Sequence, residues 1–359
     1  MSKTSTGSTP LIFSARAEIL FLIFPLIFLA ASAGEIFAGR FIWTESAQLW
    51  THFIVQVFFL NTLHIAFTYA MIVGHSGTRS LWKNKFIDHR LTLLIFLGTL
   101  ALAYGAGGYL EKPSTLLKQG FLHVLLLLNL ILSTHHMLMQ MKGLSLLANR
   151  SLSKICLKNS AVDCISRWEK SLYWGLVISF IFLIYFYYPL SYMGGALEDP
   201  LRIEIEKLIS LDIVRLFFLG LNFLFVIGII FINASKAWNL NKFLFSLRLF
   251  LYPLAAISPI ALYGVFATHG IEYLFVFNKF VSNPQSEKGS LIKISLFIMA
   301  LLTLSLLPRY IWETGSKTHF LLVLFSAFGV ALNYLHYYLD RKIFSFKDKI
   351  VREKIGDVF

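Results

Sequence analysis

The stretch 121–143 reads FLHVLLLLNLILSTHHMLMQMKG, and its length and composition decide the fold class. From Phe121 to Leu132 it is almost wholly apolar, then Ser133, Thr134, His135, His136 and Gln140 follow before Lys142. A run of this length, rising about 1.5 Å per residue, crosses a hydrocarbon layer of roughly 30 Å. Similar runs recur along the chain. Hydrophobic residues make up 57% of the 359, and the mean hydropathy is +0.69, whereas soluble domains average about 45–50% apolar. In lipid every backbone polar group must be satisfied internally, so spans are helices or closed barrels. These runs are too long and too uniformly apolar for barrel strands. The sequence therefore predicts an all-α, polytopic transmembrane bundle of about 9–10 spans.

The expected spans lie near 17–38, 49–73, 91–110, 116–141, 170–193, 211–233, 243–262, 264–281, 291–308 and 319–339. The 243–281 region reads either as two spans broken near Pro259 and Gly264 or as one span with a re-entrant piece. EILFLIFPLIFLAASA, ending at Ala33, has the outline of a signal peptide. The apolar stretch continues through GEIFAG, however, and Glu18 stands at its front, so a retained helix is the better reading. The divisions are a polar tail over 1–16, one transmembrane domain over 17–340, and a basic tail over 341–359.

Charge sets the orientation. The net charge is +13, and the cations collect in particular loops. Segment 74–90 carries Arg79, Lys83, Lys85 and Arg90; segment 142–169 carries Lys142, Arg150, Lys154, Lys158 and Arg167. The tail adds Arg341, Lys342, Lys347, Lys349, Arg352 and Lys354, while GGALEDPLRIEIEK (194–207) is acidic on balance. The positive-inside rule puts the basic loops and both termini in the cytoplasm. Such a distribution points to a membrane surface rather than to nucleic acid. Cys156 and Cys164 share one basic loop, with neither metal-ligand spacing nor a disulfide framework.

Ionisable groups within spans are costly and mark function. On a helix, positions i, i+4, i+7 and i+11 share a face. Asn61, His64, Thr68 and Met71 do so in the second span, and His75 extends that face if the helix passes Gly74. Asn129, Ser133, His136 and Gln140 do so in the fourth; His135 points about 100° away. Ser326, Asn333, His336 and Asp340 share a face in the last span, and so, if helical, do His269, Glu272 and Tyr273 in the 264–281 span. His52, His123 and His319 fall near outer span ends among headgroups, while His89, at the inner start of the third span, is a further candidate contributor. Several helices thus deliver imidazole and carboxylate to a similar depth. That set suits Fe, Mn or Zn. His64, His135, His136, His269 and His336 are the candidate metal ligands. Glu272 and Asp340 are the candidate catalytic carboxylates, acting as ligands or outer partners. Asn129, Gln140, Asn333 and Tyr273 are candidate second-layer residues that fix imidazole orientation. Haem between two histidines, or a proton-coupled transporter, would use the same residues. No G-x-S-x-G occurs, so nucleophilic catalysis has no anchor.

HHMLMQMKG reads as H-x-x-x-Q-x-x-G from His136 or as H-x-x-x-x-Q-x-x-G from His135, and HGIEYL and NYLHYYLDRKIF accompany it. The combination resembles a group of uncharacterised bacterial polytopic membrane proteins that end in an H-Y-x-x-D-x-x-I-W-like segment; Phe344 stands here in place of that Trp. The resemblance implies a multi-pass protein of the bacterial inner membrane. It marks His64, His135 or His136, Gln140, His269, Glu272, His336 and Asp340. More distantly the chain is similar in style to membrane di-iron desaturases and hydroxylases and to polytopic carotenoid-cleaving oxygenases with histidine-bound iron. The desaturase clusters H-x-x-x-H and H-x-x-H-H do not occur, so iron held by histidines from several helices fits better. The expected function is a histidine-coordinated non-haem-iron oxidoreductase, mononuclear or di-iron, acting on a lipid-soluble substrate.

Overall fold

A computed structural model describes residues 15–38, 62–107, 116–150, 167–187, 200–235, 246–311, 320–345, 348–355 and 358. Among these the regular structure is helical: α1 Ala15–Ala38, α2 Thr62–Gly74, α3 Ser76–Lys83, α4 His89–Gly105, α5 Leu116–Arg150, α6 Arg167–Tyr187, α7 Pro200–Leu208, α8 Leu211–Ser235, α9 Leu251–Leu254, α10 Pro259–Ser282, α11 Lys288–Ile311, α12 Phe320–Ile343 and α13 Lys349–Ile355. A 3-10 turn, Arg248–Phe250, leads into α9. Six stretches are long and apolar enough to cross a membrane: Gly120–Gly143, Trp168–Tyr187, Leu211–Asn233, Ile260–Ser282, Lys288–Ser305 and Phe320–Ile343. Ile23–Phe37, Thr62–Gly74 and His89–Gly105 are shorter apolar helices. The protein is a multi-pass, all-α membrane protein. Asn61, His52, His319 and both cysteines lie outside the described residues.

Burial separates centre from rim. The spans Ile260–Ser282 and Phe320–Ile343 are 61% and 56% buried, against 17% for Leu211–Asn233 and 22% for Lys288–Ser305. Helices α10 and α12 therefore form the middle of the bundle. Helix α2 packs on α10, α11 and α12, α5 on α6 and α12, and α1 on α10. Two apolar clusters result. One joins Leu125, Leu138, Tyr173, Leu176, Leu249, Leu251 and Val265. The other joins Phe67, Met71, Tyr273, Phe280, Leu335, Leu339 and Ile343, and extends to Leu81 and Val351. His64, His136, His269, His336 and Asp340 meet at a seam formed by α2, α5, α10 and α12.

Of the break expected near Pro259 and Gly264, the part at Pro259 is found and the part at Gly264 is corrected. The chain turns at 255–258, and α10 runs unbroken through Gly264. Ser258 caps α10 by accepting from the Ala261 amide, and Pro259 occupies the first turn, where a missing N–H is harmless. Gly264 serves packing instead: a Cβ there would sit 2.7 Å from Phe28 Cβ of α1. A glycine in a membrane helix marks close approach as readily as a break.

The α2 helix also stops earlier than its polar face suggests. His75 has an extended backbone (φ −114°, ψ 129°) and caps α3, its Nδ1 accepting from the Thr78 amide at 3.4 Å. The Gly74 carbonyl accepts from the Glu287 amide, 2.8 Å, and the Ser76 amide donates to the Gln285 carbonyl, 3.2 Å. Arg79 pairs with Glu287 at 2.8 Å. At the same end α13 packs on α3, and Lys342 lies 5.0 Å over the Phe86 ring. The basic 74–90 segment and the basic tail thus share one end of the bundle. The tail forms a short helix there, with Val351 buried.

Candidate metal centre

Four helices each bring one imidazole to the seam. His64 comes from α2, His136 from α5, His269 from α10 and His336 from α12. The Nε2 atoms of His64 and His336 are 2.9 Å apart. Ring centroids lie 4.9 Å apart for His64 and His269, 5.0 Å for His136 and His269, 5.2 Å for His136 and His336, and 6.1 Å for His64 and His136. His64, His269 and His336 are buried, and the His136 side chain is only 9% exposed. Asp340, one turn beyond His336, brings its Oδ2 to 3.4 Å from His136 Nε2.

The hydrogen bonds assign roles. His336 Nδ1 meets the Asn333 carbonyl of its own helix. A carbonyl only accepts, so Nδ1 carries the proton and Nε2 presents a lone pair to the cluster. Both oxygens of Asp340 are held: Thr68 Oγ1 donates to Oδ1 at 2.6 Å, and the Tyr273 hydroxyl donates to Oδ2. His269 is different. Both of its ring nitrogens are buried without a hydrogen-bond partner among the described residues. Buried polar atoms are overwhelmingly satisfied, and an orphaned imidazole asks for a ligand.

Two overlapping sets of ligand atoms lie within 4.8 Å of one another: His64, His136 and His269; and His136, His336 and Asp340. Both contain His136, so the two sets adjoin at that imidazole. Imidazole binds zinc-like ions at about 2.0–2.1 Å, which puts neighbouring donors about 3.0 Å apart at right angles and about 3.4 Å apart in a tetrahedron. The 2.9 Å between His64 and His336 and the 3.4 Å between His136 and Asp340 match those edges. The residues present therefore fit a metal ion.

Other expected residues lie around this cluster. Gln140 Nε2 donates to Glu272 Oε2 at 3.3 Å, and Glu272 is ion-paired with Arg248. Asn333 Nδ2 donates to Asn129 Oδ1 at 3.3 Å, tying α12 to α5. Tyr273 sits 5.2 Å from the His64 ring. His135 is turned away onto Trp174, 5.2 Å between rings. His89 stacks on Trp82 at 4.6 Å, and Ser133 bonds back to the Leu130 carbonyl. No protein-family model, curated protein or solved structure matches this chain.

The sequence placed Thr68 on the face of His64 without giving it a role, and Arg248 was not singled out. Thr68 was visible as the i+4 neighbour of His64, but intramembrane threonines commonly bond their own helix. Arg248 was visible as a cation in the apolar FLFSLRLFLYPL (243–254), which intramembrane cost alone should have flagged.

Proposed function

We propose that this chain is an integral-membrane metalloenzyme whose His64, His136, His269 and His336, with Asp340, hold a single transition-metal ion. The orphaned pair of nitrogens on buried His269, inside a ring of three further imidazoles, carries the reading. Four neutral nitrogens and one carboxylate suit a single iron better than a di-iron site, in which bridging carboxylates dominate. A haem would need a slab of space between two imidazoles; 2.9 Å between His64 and His336 favours an ion. Bound iron would supply activation of O2 for oxidoreductase chemistry of oxygenase, hydroxylase or desaturase type. The chain's own part is to hold that chemistry in an apolar bundle, away from water, where a lipid-soluble substrate has access. The motif resemblance supports a bacterial inner-membrane location for it.

Metal analysis of purified protein tests this. About one iron, or one Mn or Zn in its place, is expected per chain, and the His136→Ala/His336→Ala variant should lose it. Equal trace metal in both proteins would sink the reading, and pH-driven flux through liposomes in that case would establish the transporter alternative.

A further inference from the structure

Beside the metal-binding cluster lies a second polar assembly that neither the histidines nor Asp340 require. A water-sized cavity is lined by His269, Glu272, Thr268, Arg248, Met141 and Val265, among others. His269 belongs to both places: its ring packs against those of His64 and His136, and it also lines the cavity. Glu272 is fully buried and held from two sides. Arg248 pairs with it, and Gln140 donates to its Oε2.

The spacing explains why these residues come as a set. His136 and Gln140 are four apart on α5, and His269 and Glu272 are three apart on α10. Each helix therefore gives one imidazole to the cluster and, one turn on, one polar group to the carboxylate network. A buried Arg–Glu pair is weak evidence for stability, because desolvation offsets much of the attraction. Inside a bilayer that cost is greater still. The pair needs another reason to exist. Metal-ligating histidines nearly always donate their second ring nitrogen to a carboxylate, carbonyl or water. His269 has no such partner among the described residues, and the cavity supplies room for one.

We infer that the cavity holds one ordered water that accepts from His269 and donates to Glu272, making Glu272, fixed by Arg248 and Gln140, the positioning carboxylate for the His269 ligand. Glu272 is then not itself a ligand. Its role is to fix which His269 nitrogen carries the proton, and so which one faces the ion. The short helix α9 and its leading 3-10 turn acquire a purpose: they carry Arg248 into the bundle to anchor that carboxylate.

This inference rests on the metal-centre reading, and one titration separates the two. Co(II), a spectroscopic stand-in with visible ligand-field bands, is added to detergent-purified wild type, to Arg248→Met/Glu272→Leu, and to Val265→Leu. The double variant removes both charges together, so no buried charge is left unpaired. Val265→Leu leaves both charges and fills the cavity. Folding of each is checked by thermal unfolding, and either variant that folds suffices. The expected result is stoichiometric Co(II) binding by wild type and a loss of about 10- to 100-fold in affinity, with shifted bands, in the variants. Unchanged affinity and spectrum in a folded variant would overturn the water-bridged Glu272 while leaving the metal centre standing. Absence of Co(II) binding by wild type would overturn both.

Discussion

Asp340 is the residue on which most of the cluster's geometry converges. Thr68, Tyr273 and His136 reach it from three other helices. A buried acceptor that loses a donor is left partly unsatisfied, at a cost of about 1–3 kcal/mol. Thr68→Val keeps shape and removes the 2.6 Å bond; Tyr273→Phe removes the other donor. Each should lower stability in detergent by about that amount. Because both donors serve one carboxylate, the double variant should depart from additivity by about 0.5 kcal/mol or more. Simple additivity in denaturant titrations would show that Asp340 is not the shared hub. The sequence made Asp340 and Tyr273 conspicuous, since an acid and a phenol stand out in an apolar run. It could not show that a threonine aims across helices, because the same hydroxyl can bond its own backbone, and here it also lies 3.2 Å from the His64 carbonyl.

Helix ends depend on caps, which apolar periodicity does not encode. The corner between α2 and α3 illustrates this. His75 is buried against Phe280, 5.0 Å between rings, and its Nδ1 accepts from the Thr78 amide. Only an unprotonated Nδ1 can accept. Burial pushes the His75 imidazole below its ordinary value of 6.5; Arg79 nearby acts in the same direction, and Asn283 opposes it. The unfolded chain therefore takes up a proton at a higher pH than the folded one. His75 costs no stability above the ordinary value. Its penalty grows as pH falls through 6.5 and is complete below the folded value. Asn caps a helix without titrating. His75→Asn should thus melt at a less pH-dependent temperature than wild type between about pH 8 and pH 5, with the difference appearing on the acid side. Parallel curves would refute the assignment. The spans themselves were legible, since long apolar runs leave little choice in lipid. Where they bend was not, and Gly264 shows why. Without Phe28 of α1 in view, nothing separates a glycine that breaks a helix from one that lets two helices touch.

At the scale of the whole molecule, the centre joins helices far apart in the chain; His64 and His336 are separated by 272 positions. The sequence could place histidines at a common depth, because depth follows from span position. The face shared by Asn129, Ser133, His136 and Gln140 favoured His136 over His135 as the inward ring, and His135 is turned onto Trp174. The convergence has a thermodynamic consequence. An ion bound to α2, α5, α10 and α12 together holds the bundle closed, and anything that binds only the folded state stabilises it by mass action. That amounts to about 4 kcal/mol when free metal is a thousandfold above its dissociation constant. Membrane spans stay helical when the bundle opens, so the effect belongs to helix association rather than to helix formation. A strong chelator should lower the unfolding temperature of wild type at a fixed scan rate, and restored metal should raise it again. The His136→Ala/His336→Ala variant should melt lower and ignore both treatments. A wild type indifferent to the chelator would mean that the four imidazoles hold the helices by packing and hydrogen bonding alone. The 2.9 Å contact between His64 and His336 would then be an N–H···N bond, donated by His64 to the lone pair that Asn333 leaves on His336.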